Sequence, residues 1–112
     1  MERVLYAELT PHEFQRRVQA APIAYLPLGT LEWHGPHLPL GSDGIQSQGF
    51  FEALARRAGG VVLPMLFVGP DFALERQGGA YYGMDVYGFP DNAPEQLPGS
   101  AYWVDEDLFA GL

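Results

Sequence analysis

The chain has 112 residues and a mass of 12.3 kDa, with 47% apolar and 18% charged residues, which suits one small folded domain and excludes wholesale disorder. Fourteen acidic residues against six basic ones give a formal charge of -8, which argues against sequence-independent nucleic-acid binding and against anionic membrane surfaces. Every basic residue is an arginine and cysteine is absent, so lysine Schiff bases, P-loop cations, thiolate catalysis, disulfides and Cys-ligated metals are excluded together.

Met1 to Glu8 lacks the charged-then-apolar pattern of a secretory signal, and no apolar run has the length of a membrane helix. A cytoplasmic protein is the resulting expectation. Thr10-Pro11-His12-Glu13 spells a capping box with proline at the first helical position. Phe14, Val18 and Ala21 then give a short helix one apolar face, and Pro22 ends it. His12, in the first turn, is expected at the surface. Arg16-Arg17 and Arg56-Arg57 read as solvated or assembly faces.

Ile23 to Leu28 is a continuous apolar run of strand length, as for a strand buried on both faces. A loop follows from Gly29 to about Asp43. Residues 44 to 58 carry a helical pattern with Ile45, Phe51, Leu54, Ala55 and Ala58 on one side, stopped by Gly59-Gly60. Val61 to Val68 forms a second apolar run. Residues 23 to 68 therefore have the dimensions of one βαβ unit with a parallel strand pair.

Beyond Val68 the composition shifts, with eight acidic residues against Arg76 alone over residues 71 to 112. Residues 71 to 99 are rich in Gly, Pro and Tyr without a clear period, and read as one long functional loop or assembly arm. A final helix is expected near Val104, preceding Asp105, Glu106 and Asp107. The expected organisation is one α/β domain over residues 1–112. Its parts are a βαβ-type core to residue 70, the loop at 71–99 and the start of a helix at 100–112. Two parallel strands cannot cover their own faces, so the chain reads as part of a larger fold, or as a subunit completing its sheet with a partner.

The chemistry concentrates in the loop. Glu32, His34, His37 and Asp43 lie within twelve residues, directly after the carboxyl end of a buried parallel strand, where open α/β sheets collect ligands. Extended backbone at Glu32-Trp33-His34 would aim both outer side chains the same way, and the turns around Pro36 and Pro39 can return Asp43 to them. Carboxylate oxygen mixed with imidazole nitrogen suits zinc or manganese. Each residue alone has a plainer reading: a loop hydrogen-bonding pair, a helix N-cap, or a donor that orients a neighbour.

The string Leu28-Gly-Thr-Leu-Glu-Trp-His-Gly-Pro-His-Leu-Pro-Leu-Gly-Ser-Asp43 resembles the signature of the creatininase (creatinine amidohydrolase) family. Val62-Leu63-Pro64 with Gly69, and Leu97-Pro98-Gly99-Ser100, resemble later elements of that family. The resemblance implies a three-layer α/β/α fold around a parallel sheet and a paired divalent metal centre, zinc or manganese. It also implies hydrolysis of a carbon–nitrogen bond of a small amide through a metal-bound hydroxide. Glu32 and His34 would then each ligate one metal, Asp43 would bridge both, and His37 would support them. Trp33, Tyr81 and Tyr82 are candidates for a substrate pocket. Family members are longer, and the later Asn-Gly-His motif that completes the ligand set has no match here, so the chain reads as the N-terminal half of such an enzyme and would bind metal weakly alone. Family relatives form ring-like homo-oligomers, and the open sheet edge likewise favours a homo-oligomer or a partner chain completing the sheet. The alternative expectation is a non-catalytic binding module or one subunit of a two-chain enzyme.

Overall fold

The computed structural model describes residues 1–69, 73–76, 79–84, 97–101 and 110–111. The chain divides into two compact units, Met1–Leu28 with Asp43–Leu66, and Gly29–Ser42 with Phe67–Leu112.

In the first unit a single 3-10 turn at Tyr6–Glu8 leads into α1 (Pro11–Ala20). The expected capping box is complete. Thr10 Oγ1 accepts from the Glu13 N–H at 3.3 Å, while Glu13 Oε2 accepts from the Thr10 N–H and hydroxyl, each at 2.8 Å. These bonds, then the Arg3 guanidinium at 2.6 Å, hold the Glu13 carboxyl down at about 2.

The βαβ unit is present as β1 (Ala24–Tyr25), α2 (Ser42–Ala58) and β2 (Val61–Val62), with the strands parallel and Ala24 opposite Val61. Both strands are much shorter than the apolar runs that contain them. Pro27 and Pro64 lack the N–H that a ladder needs, so regular pairing stops. It resumes once, where Leu28 bridges Leu66. From the Tyr25–Val62 pair to this bridge the first run advances three residues and the second four, so one extra residue is accommodated near Pro64.

Val62 is flanked on both sides. It bridges Leu5 in parallel, donates its N–H to the Val4 carbonyl at 2.9 Å, and pairs with Tyr25. Val4, Ala55 and Val62 are almost wholly buried and form the core, with Leu5, Tyr25 and Phe51 packed against it. Full burial of a side chain such as Val62 is worth about 1.5–3 kcal/mol. Phe51 and Ala55, four apart, are the inward line of α2, and Phe51 stacks on Tyr25 at 5.4 Å. Ile45, expected on that face, is instead 58% exposed. The first apolar run is not buried on both faces either, because Ile23, Leu26 and Leu28 remain exposed.

Arg17 corrects the expectation of a solvated face. It is buried at 6% exposure, with Nε donating to the Gly60 carbonyl at 2.7 Å and a terminal nitrogen to the Ala55 carbonyl at 3.0 Å. Its other terminal nitrogen pairs with Glu2 at 2.7 Å. The guanidinium therefore caps the carbonyl end of α2, where Gly59 and Gly60 turn the chain at φ of +85° and +90°.

In the second unit, residues expected to lie in a structureless loop form an antiparallel pair, β3 (Ala73–Arg76) and β4 (Gly79–Tyr82), with Arg76 opposite Gly79. The dense glycines masked the strand period. The pairing itself suits the sequence of β4, whose tyrosines favour a pleated surface. Leu31 bridges Ala101 in antiparallel sense in the same unit. The helix expected from Val104 falls on residues outside the described set, apart from a helical Ala110.

Candidate metal centre

The loop is built by doubling back on itself. Past Leu28 the chain runs to Gly35, turns at Pro36-His37, and returns so that the Glu32 N–H donates to the Leu40 carbonyl at 2.9 Å. The Ser42 N–H then donates to the Pro39 carbonyl at 3.1 Å, closing a turn that opens α2 at Ser42. Asp43 lies in the first turn of that helix. The turn depends on Gly35, whose φ is +94° and whose place a side chain could not take without meeting His37 Nδ1 at 2.9 Å.

Glu32, His34 and Asp43 converge, each offering one ligand atom within 4.8 Å of the others. Glu32 is buried at 8% exposure, whereas His34 and Asp43 are half-buried, so the cluster has a protected end and an open one. His34 Nε2 stands 3.2 Å from Glu32 Oε1, and His34 Nδ1 lies 3.1 Å from the Glu32 carbonyl oxygen. A carbonyl only accepts, so Nδ1 carries a proton and Nε2 is the nitrogen turned toward the Glu32 carboxylate.

This donor set fits a divalent metal. Two carboxylates and one imidazole suit zinc or manganese. Ligand bonds of about 2.0–2.1 Å around a tetrahedral ion place neighbouring donors about 3.3 Å apart, close to the spacing of the Glu32–His34 pair. Ser42 Oγ, one residue before Asp43, is buried and finds no hydrogen-bond partner among the described residues.

The remaining sequence candidates are more scattered. His37 is exposed on its turn and does not share the three-residue cluster. Trp33 is half-buried and donates its backbone N–H to Ser100 Oγ at 3.1 Å. Tyr81 is half-buried on β4, and the Tyr82 side chain falls outside the described set. Spacing did not point to Ser100 or Leu40, because bonds between residues this far apart leave no local signal. The Leu97–Ser100 element was noticeable only through family resemblance.

A family model described as creatininase, creatinine amidohydrolase, matches residues 7–83. Among solved structures, a crystal structure titled as creatinine amidohydrolase (creatininase) is similar, with a TM-score of 0.64 and 26% identity over 92% of this chain. The present chain spans 34% of the length of that one. No curated protein matches it. The helices and parallel strand pair described above accord with that likeness, and the fold is α/β and creatininase-like. The family match covers more than half of the chain and takes in all three members of the Glu32–His34–Asp43 cluster, so the chain belongs to the creatininase family.

Proposed function

We propose that Glu32, His34 and Asp43 hold a divalent cation, zinc or manganese, in a centre that serves hydrolysis of a carbon–nitrogen bond in a small amide, cyclic amides included. The observation that carries this reading is the convergence of three donor atoms within 4.8 Å on one short segment. When bound, such a cation supplies Lewis acidity toward an amide carbonyl and acidifies a coordinated water.

The chain's own residues do the rest. The Glu32 carbonyl fixes the His34 tautomer, leaving Nε2 to ligate beside Glu32 Oε1. Asp43 offers two carboxylate oxygens at a helix start, which suits it to bridge a pair of ions. His37 supports the ligands from its turn over Gly35, and Trp33 with Tyr81 lines the approach for substrate. No general acid or base is assigned to a described residue.

A second reading, a non-catalytic binding module or one subunit of a two-chain enzyme, is favoured by one observation. Ile23, Leu26 and Leu28, along one strand run, stay 42%, 45% and 38% exposed, as a surface awaiting another polypeptide would.

Metal analysis of the 112-residue chain after chelator-free dialysis tests the first reading, with Glu32→Ala/His34→Ala beside it. About one or two retained ions per chain, lost in the double variant, support it. No retained metal in the wild type refutes metal holding by this chain. Turnover of cyclic amides or formamides by the metal-loaded chain alone would decide against the second reading.

A further inference from the structure

Glu32 occupies an extended segment pinned along both edges. On one side its N–H donates to the Leu40 carbonyl at 2.9 Å. On the other, its two chain neighbours are held by the Gly99–Ala101 segment. The Ala101 N–H donates to the Leu31 carbonyl at 2.7 Å, and the Trp33 N–H donates to Ser100 Oγ at 3.1 Å.

The second of those bonds is unusual in kind. With Leu31 opposite Ala101 in an antiparallel bridge, a regular ladder would next pair Trp33 with Gly99 through backbone groups alone. Gly99 has a φ of +87° and turns out of the extended conformation, packing so closely on Leu40 that a side chain would meet Leu40 Cδ1 at 2.5 Å. The Ser100 hydroxyl takes the place of the displaced carbonyl. Trp33 lies between Glu32 and His34, so this one hydroxyl anchors the peptide joining two members of the cluster.

We propose that Ser100 is a positioning residue for the metal centre, its hydroxyl holding Trp33 so that Glu32 and His34 keep their ligating spacing. This inference rests on the metal reading given above. Without the hydroxyl, the Trp33 N–H loses its partner in a half-buried place, and the stretch from Glu32 to His34 keeps a tether only at its Leu31–Glu32 end. The two donors would then have to be reordered at the moment of metal binding.

The test measures two quantities on the full chain, with cobalt(II) as the probe. Its visible absorption reports affinity and coordination geometry, and amide hydrogen exchange at Trp33 reports the anchoring bond. Ser100→Ala is expected to weaken cobalt binding about tenfold to a hundredfold, the usual cost of losing an outer-sphere support. It should also speed exchange at Trp33, and Ser100→Thr should restore both readouts. Ser100→Thr against Ser100→Val, equal in shape but not in hydroxyl, gives the same comparison should Ser100→Ala fail to fold. Faster exchange with unchanged cobalt affinity and spectrum would overturn the proposal, leaving the bond purely structural. Failure of threonine to outperform valine would overturn it as well. A wild-type chain that binds no cobalt, with Trp33 still protected, refutes the metal reading itself and this inference with it.

Discussion

His34 Nε2 faces Glu32 Oε1 across 3.2 Å while its other ring nitrogen donates to the carbonyl of the same glutamate. A carboxylate oxygen and a ring nitrogen that close require positive charge between them, supplied by a second ring proton or by a metal ion. The first makes an ordinary ion pair. The second makes a ligand pair whose geometry is set in advance by the backbone, because residue 32 fixes the tautomer of residue 34.

Removing either partner separates the two. Glu32→Gln keeps the shape and loses the charge, so it is expected to lower zinc or manganese affinity by at least about a hundredfold, since ligand loss should exceed the range for supporting residues. His34→Ala should do the same. Competition with a chromophoric chelator measures both, and unchanged affinity in either variant would remove that residue from the centre.

Asp43 and His37 make a second contrast. Asp43 shares the cluster, and Asp43→Ala should abolish tight metal binding if one carboxylate serves the whole centre. His37 is exposed on a turn, so His37→Ala should weaken binding by about tenfold at most, at the low end of outer-sphere effects. Calorimetric titration of both variants checks the order, and a larger loss at His37 than at Asp43 would reverse the two assignments.

These contrasts follow how much of the molecule its sequence disclosed. The Thr10–Glu13 cap, the Gly59-Gly60 stop and the parallel pairing of the two apolar runs are local or periodic features, and each was legible. The Glu32–His34–Asp43 set was legible because all three sit within one short segment. What escaped was contact at long range. Arg17 looked like one more surface arginine, since nothing within a turn of it announces that it reaches Gly60. The β3–β4 pair escaped for a different reason: the glycines in and around it erase the alternation that marks a strand.

The Glu13 cap makes stability depend on acid in a stated direction. Its carboxyl is held down at about 2 from 4.5 by the Thr10 hydrogen bonds and then by Arg3, so the unfolded chain takes up this proton first. The contribution is therefore full above about pH 4.5 and is lost as pH falls toward 2. Glu13→Gln should flatten the urea-midpoint curve across that window and leave its shape above pH 6 alone. An equally steep acid limb in the variant would place the titration elsewhere.

Arg17 offers the sharpest test of the first compact unit. Its guanidinium holds two carbonyls at the end of α2 and pairs with Glu2, yet only Arg17 is buried, Glu2 being 58% exposed on its side chain. Arg17→Ala abandons the Gly60 carbonyl, leaves the Ala55 carbonyl with the Gly59 N–H at 3.0 Å, and opens a void beside Ala55, so a loss of about 2–4 kcal/mol is expected. Glu2→Ala removes only a partner that water can replace, and should cost no more than about 1 kcal/mol. Arg17→Lys separates charge from geometry. A single ammonium cannot reach Gly60, Ala55 and Glu2 with the planar fork that spans them, so lysine should recover less than half of the loss. Urea denaturation followed by circular dichroism measures all three. A lysine variant as stable as the wild type would mean that charge near the helix end is what matters, and that the fork is incidental.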